Sequence, residues 1–335
     1  MKIIIPMAGM GTRMRPHTLT VPKPLIVLAG KSIVQRLVES ITQICDESVE
    51  EIGFVIGDFG EKIENQLLQI AQNAGAKGRI FYQHQALGTA HAVWCAADLL
   101  DGKTVVAFAD TLFFADFNIN KNADSIIWVQ KVKNPEAYGV VTTDKSGIIT
   151  GFEEKPKNFV SDLAIIGIYY FKEGEKLKKE LQHIIDNKIM KSGEYQLTTA
   201  LENIREQGLT FIPGEVEEWL DCGNKEITVK THQRILAKST DSEYFSKTAQ
   251  IKNSTVIQPC YIGDNVKITD SVVGPFVSIG ENTMVKNSVI KNSIIQNNSE
   301  IDSICAHNSI IGNNAKITGK PIDMSIGDFN VIDFN

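Results

Sequence analysis

The chain lacks any paired arrangement of cysteines: Cys45, Cys95, Cys222, Cys260 and Cys305 are scattered and odd in number, without a CxxC or Cys/His cluster. That pattern excludes a zinc frame and a disulfide-stapled fold. Long apolar runs are missing too, and Ile3-Ile4-Ile5 is far too short for a signal segment or a membrane span. The expectation is a cytoplasmic protein with no membrane partner. Basic excess is also absent, since the formal net charge is -6. Non-specific nucleic-acid binding needs a basic surface, so no nucleic-acid partner is expected. A few local cations still suffice for a phosphate ligand. What is present is ordinary globular composition, 43% hydrophobic and 22% charged over 335 residues, enough for about two domains with separate cores.

Two textures divide the chain. Residues 1–238 alternate short apolar runs with amphipathic segments, the pattern of an α/β domain with a mostly parallel sheet. Strands are predicted at Ile3–Ile5, Ile52–Ile56, Arg79–Tyr82 and Thr104–Ala109, and helices at Ser32–Gln43, Glu61–Asn73 and Thr89–Leu100. Residues 239–250 lack a pattern and read as a linker. From 251 to 335 β-branched residues recur every six positions: Val256, Ile262 and Ile268, then Val273, Ile279 and Val285, then Ile295 and Ile301, then Ile311 and Ile317. Such hexapeptide spacing predicts a parallel β-helix of about four coils, each of roughly 18 residues on three faces. A longer echo, Asn253-Ser254, Asp270-Ser271, Asn287-Ser288 and Asn308-Ser309, marks corners where Gly and Asn supply positive φ.

After the first strand comes Ala8-Gly9-Met10-Gly11-Thr12-Arg13-Met14-Arg15-Pro16. Glycines directly after a strand let backbone N–H groups approach a polyphosphate. A dinucleotide loop would need a third glycine at position 14, an immediate helix and an acid about 20 residues on. Met14, Pro16 and Pro22 stand against it, and the residues around position 33 are apolar. Instead Arg13 and Lys23, the latter between Pro22 and Pro24, offer cations suited to a triphosphate whose leaving group gains charge.

This string, with Pro22-Lys23-Pro24-Leu25, closely resembles the signature of the sugar-1-phosphate nucleotidylyltransferases, the nucleotide-sugar pyrophosphorylases. The resemblance extends in order over residues 1 to about 236. It implies a Rossmann-like nucleotidyltransferase domain with a mixed, mostly parallel sheet, followed by a left-handed parallel β-helix. It implies catalytic roles for Arg13 and Lys23, and a nucleotide site at Ala8, Gly9, Gly11, Thr12, Gln83, Gly88 and Thr89. Gln83 and Gly88 lie in Tyr82-Gln83-His84-Gln85-Ala86-Leu87-Gly88-Thr89-Ala90-His91-Ala92, the base-reading segment, and Thr89 is expected to cap the following helix. Asp110, after Val105-Val106-Ala107-Phe108-Ala109, and Asp221, in Trp219-Leu220-Asp221-Cys222-Gly223, match the two aspartates that hold Mg2+. Ala109 stands where the family often has glycine. Gly139, Glu154, Lys155, Gly167 and Glu194 match the sugar-phosphate side. The substrates implied are a nucleoside triphosphate and a sugar 1-phosphate. The expected pair is dTTP with glucose 1-phosphate, UTP next, with GTP and mannose 1-phosphate open. A homo-oligomer is expected through the β-helix faces. Two further readings stay open: a bifunctional acetyltransferase using His307 as a base, and a regulatory homologue that binds nucleotide without turnover.

Overall fold

The structure, a computed structural model, describes all residues except 46, 116–118, 120–122, 239–243, 321, 328, 330, 332 and 334–335. The chain divides into two compact units. One comprises residues 1–26 and 31–227; the other comprises 27–30 and 228–335. Among the described residues no helix is long and apolar enough to cross a membrane.

In the first unit the strands are β1 (Lys2–Pro6), β2 (Glu51–Ile56), β3 (Lys77–Tyr82), β4 (Thr104–Ala107), β5 (Thr111–Phe114), β6 (Ser125–Lys131), β7 (Gly139–Thr143), β8 (Ile149–Glu154), β9 (Leu163–Phe171), β10 (Phe211–Glu215) and β11 (Glu218–Asp221). The helices are α1 (Ile33–Ile44), α2 (Glu61–Asn73), α3 (Thr89–Trp94), α4 (Gly174–Asp186) and α5 (Leu197–Glu206). A mixed sheet of nine strands runs β8-β7-β9-β4-β1-β2-β3, with β6 on β9 and β10 on β6. Its half around β1 is parallel, β1 lying between β2 and β4. Helices on both faces require a central strand apolar throughout, and Ile3, Ile4 and Ile5 are each 0% exposed.

Local chemistry fixes the ends of these elements. Ser32 is the cap of α1 rather than its first residue, its hydroxyl accepting the Gln35 N–H at 3.2 Å. The predicted helix Thr89–Leu100 stops at Trp94 and resumes as a 3-10 turn over Ala97–Leu99, which still buries Leu99 and Leu100. β4 ends at Ala107, two residues short of the prediction, because the Phe108 N–H turns to the Gly167 carbonyl and the Ala109 N–H to that of Pro6.

The second unit carries three all-parallel sheets, of five, four and four strands, stacked coil upon coil as the hexapeptide spacing predicts and as in the left-handed β-helix that the resemblance implies. Ile251, Ile268, Val285, Ile301 and Ile317 stand in register in one column. That register advances 17 residues per coil as far as Val285 and 16 thereafter, rather than 18. The shortening lies at the corners turned by Asp270, Asn287 and Asn292, so Ile268 and Val273 on successive faces are five apart, not six. Asparagine, more than glycine, makes the corners of the coil, short and long alike. At the corners that keep six residues, Asn265, Asn282, Asn298 and Asn314 all have φ near +57°, and Asn265 donates to Asn282 at 3.1 Å. Asn tolerates this region because its short polar side chain bonds locally. The echo predicted from sequence joins two different corners. Asn308 stacks under Asn292, and the Ser309 N–H reaches Ser293; Asn253, Asp270 and Asn287 form a separate column.

Of the expected linker, residues 239–243 lie outside the described residues, whereas Phe245 already bridges Ile262 and Gln250 opens the first coil strand. The last coil strand is Lys316–Thr318, and the described residues beyond it form none, although the sequence predicts the β-helix to 335. His307 is exposed on the strand Cys305–His307, whose Ala306 is the less exposed member.

None of the five cysteines, all of them described, forms a disulfide. Burial pushes the Cys260 thiol up to about 11, and it donates to the Ile257 carbonyl. The thiolate is the reactive form, so a thiol reagent at neutral pH should label exposed Cys305 quickly. Cys260 and the buried Cys222 should react only on unfolding, as mass mapping of the labelled peptides will show.

Candidate active site

The carboxyl end of the sheet, where open α/β sheets place their ligands, holds a cavity of about 380 Å³. One wall is the loop after β1. Gly11 takes φ +56° and begins a 3-10 turn over Thr12–Met14. A Cβ there would lie 2.9 Å from that of Lys23, so the loop closes tightly on the lysine. At Gly9 a Cβ would meet nothing within 4 Å, which leaves the backbone open to a ligand.

Lys23 lies in a 3-10 turn, Lys23–Leu25, and its side chain is only 9% exposed. A buried ammonium needs a partner. Its Nζ donates to Asp110 Oδ2 at 3.1 Å, and both residues line the cavity.

Asp110 and Asp221 are 111 positions apart in sequence, and one short ladder joins them. β5 and β11 pair antiparallel with Asp221 opposite Thr111, and the Cys222 N–H donates to the Asp110 carbonyl at 3.1 Å. The two carboxylates feel each other: burial, then the Asp110 charge, pushes the Asp221 carboxyl up, while Lys23, the Gly223 N–H and Arg13 pull it down. Two repelling carboxylates carry oxygen donors of the kind a hard divalent cation takes. The pair therefore fits Mg2+.

The wall expected to read the base is formed by β3 and the loop after it. Gly88 has φ +110°, and a Cβ on it would stand 2.5 Å from the Tyr195 carbonyl oxygen, so only glycine fits. Gln83 lines the cavity beside it, its Nε2 donating to the Gly88 carbonyl. The expectation for Thr89 needs correction. Gly88, not Thr89, is the residue before α3, and the Thr89 hydroxyl instead accepts the N–H of Leu197, the first residue of α5. It thus satisfies an otherwise orphaned helix-terminal donor on another element.

Ala8, Gly9, Gly11, Thr12, Arg13, Lys23, Gln83, Gly88, Thr89, Asp110 and Glu194 all line this cavity. Asp221 borders it through Gly223, whose Cβ would meet the Asp221 carboxylate at 3.0 Å. On the side expected to take the sugar phosphate, Gly139 pairs with Glu154 across the β7–β8 ladder, and Glu154 accepts from Thr198. Glu154 and Asp110 both act on one buried phenol. Burial, then the Glu154 and Asp110 charges, raises the Tyr169 phenol far above its ordinary value. Lys155 has φ +46° and an exposed side chain, its Nζ 4.0 Å from Glu154. Gly167 is not among the cavity-lining residues: it sits at φ +87° where the β9 register shifts, with its carbonyl holding Phe108. Its role is to shape the turn that presents Asp110.

Sequence reasoning missed Tyr138 and His91. Burial, then the Asp221 charge, raises the Tyr138 phenol while Arg13 opposes, so this ring, packed edge-on to Trp219, borders both groups. His91 stands one turn into α3 and touches Gln83.

The chain belongs to the nucleotidyl transferase family, whose model matches residues 2–238. It is a transferase of the sugar-1-phosphate nucleotidylyltransferase kind. The glucose-1-phosphate thymidylyltransferase of Streptomyces antibioticus is 27% identical over 95% of this chain and 94% of its own. A bifunctional GlmU protein of Methanocaldococcus jannaschii is 31% identical over 77% of this chain, which spans 60% of that protein's length. The solved UDP-glucose pyrophosphorylase complexed with UDP-glucose superposes with a TM-score of 0.58 at 23% identity, covering 71% of this chain and 99% of that one. At that identity the likeness concerns the fold.

Proposed function

We propose that this enzyme transfers a thymidylyl group from dTTP to glucose 1-phosphate, releasing pyrophosphate, with UTP as the next-best donor. The observation that carries the reaction is the meeting of Lys23, Arg13, Asp110 and Asp221 around one cavity walled by the glycine loop. Similarity to a thymidylyltransferase along nearly the whole of both chains supports the base and sugar.

In this reading a phosphate oxygen of the sugar 1-phosphate attacks the α-phosphorus, the new P–O bond forming as the α–β bridge bond breaks and pyrophosphate departs opposite. A phosphate monoester is already anionic at neutral pH, so no protein base is needed. The residues supply position and charge. Gly9 and Gly11 bring backbone N–H groups to the triphosphate. Arg13 and Lys23 offset charge on the α-phosphate and leaving group. Glu154 and Glu194 accept sugar hydroxyls, and Lys155, exposed and free to swing, meets the sugar phosphate. Asp110 and Asp221 would hold Mg2+, which when bound supplies further neutralising charge to the phosphates.

A matrix of dTTP, UTP, GTP, CTP and ATP against glucose, mannose and N-acetylglucosamine 1-phosphates, read by pyrophosphate release, tests this. The dTTP and glucose 1-phosphate pair should turn over fastest. A faster GTP and mannose pair overturns the substrate assignment, and silence across the matrix overturns the reaction.

A further inference from the structure

Gln83 has an amide whose two ends differ only in what they offer a base: the nitrogen donates and the oxygen accepts. Which end faces the ligand decides which nucleobases can bind. Two neighbours fix that choice. The Gly88 carbonyl, 3.2 Å from Nε2, can only accept, so the atom facing it is the nitrogen. His91 Nδ1 lies 3.1 Å from the same Nε2. Since Nε2 carries only protons there, His91 Nδ1 must be the acceptor and its own proton must sit on Nε2 of the ring. Burial lowers the His91 pKa, in keeping with a neutral ring.

Both amide protons are thereby used inside the protein. The oxygen of Gln83 makes no hydrogen bond to a described residue, on a side chain that lines the cavity. An acceptor presented to a base selects a donor. Thymine and uracil carry a ring N–H between their carbonyls, and guanine carries one beside its own. Cytosine and adenine have a bare ring nitrogen at the corresponding edge, which would face oxygen lone pairs.

We propose that His91 is a positioning residue for base selection: it holds the Gln83 amide oxygen-outward, so that the site takes nucleotides whose base bears a ring N–H and disfavours cytosine and adenine. The Gly88 carbonyl sets the direction, and His91 stops the amide from turning. Position on α3 makes this possible. The Gly88 carbonyl also accepts the Ala92 N–H in the first helical turn, so the two anchors of the amide belong to one rigid element.

The inference rests on the proposed use of the cavity for a nucleoside triphosphate, and its test separates the two. Binding of dTTP and CTP is measured by calorimetry, and turnover by pyrophosphate release, for the wild type, His91→Leu and His91→Asn. Leucine fills the space without accepting a hydrogen bond, whereas the asparagine oxygen falls near the place of Nδ1. In His91→Leu the dTTP:CTP preference should shrink by about ten- to a hundredfold, since the loss of a fixed hydrogen-bonding partner erodes discrimination on this scale. The change should appear in the Kd and KM for dTTP, with kcat altered about twofold or less. Asparagine should restore most of the preference. A folded His91→Leu protein with wild-type preference overturns the proposal, as does an equal loss for both nucleotides that asparagine does not repair. Should leucine prevent folding, His91→Asn decides alone: a preference lost in that variant is contrary to the proposal. Should the wild type bind dTTP over CTP but release no pyrophosphate, the positioning role is still read from the binding constants, while the catalytic reading fails.

Discussion

Lys23→Ala should lower kcat by about 10²–10³, the usual loss when one preorganised charge at a reacting phosphate is removed. This equals roughly 3–4 kcal/mol of transition-state stabilisation. The reason lies in how the lysine is held. Its stem is buried against the Gly11 turn and its ammonium is directed at Asp110, so little remains to be ordered when phosphate arrives. The fold should survive. Asp110 is left without its cation, but its side chain is 47% exposed and water can take up the charge, so unfolding should cost only about 1–2 kcal/mol less. Lys23→Arg should rescue poorly, because a planar, longer group cannot place its charge where the lysine ammonium meets Asp110. Steady-state pyrophosphate release, with thermal unfolding on the same samples, checks both halves. A folded Lys23→Ala protein with near-normal turnover contradicts the assignment.

Asp221→Asn separates function from stability in the opposite sense. Turnover should fall by about 10²–10³, since one of the two oxygen donors for the cation loses its charge. Stability should hold or rise. The Asp221 carboxyl titrates above its ordinary 3.8 because burial and the Asp110 charge disfavour its ionised form. For an acid whose folded pKa is raised, stability is lost as pH climbs from the unfolded value through the folded one. At neutral pH the charged side chain therefore weighs against the fold, and the neutral isostere removes that weight. The melting temperature of Asp221→Asn at neutral pH should equal or exceed that of the wild type, and its excess should vanish below pH 3.8, where both side chains are neutral.

Much of this site is legible because its parts are local. The glycine loop, Gln83 and Gly88 each follow a strand end within a dozen residues, Lys23 is marked by the prolines on both sides, and strand ends can be read from apolar runs. The spacing of Val256, Ile262 and Ile268 likewise exposes the coil repeat, since a narrow core demands an aliphatic residue at each face. What sequence alone could not supply is pairing between distant segments. Nothing near Asp221 says that β11 will lie against β5, and nothing near Thr89 says that its hydroxyl will serve α5. The corners shortened to five residues look like noise in a six-residue period until the Asn and Asp φ angles are known. His91 was overlooked for a related reason: a histidine near a helix start has no evident duty until Gln83 is seen turned toward it.

The central claim is that Asp110 and Asp221, joined by the β5–β11 ladder, share one cation facing Lys23. Mn2+ binding in the presence of dTTP, followed by electron paramagnetic resonance, tests this most directly. The account predicts one nucleotide-dependent site in the wild type whose occupancy is lost in Asp110→Asn and Asp221→Asn alike. Wild-type Mn2+ affinity persisting in either variant would contradict it.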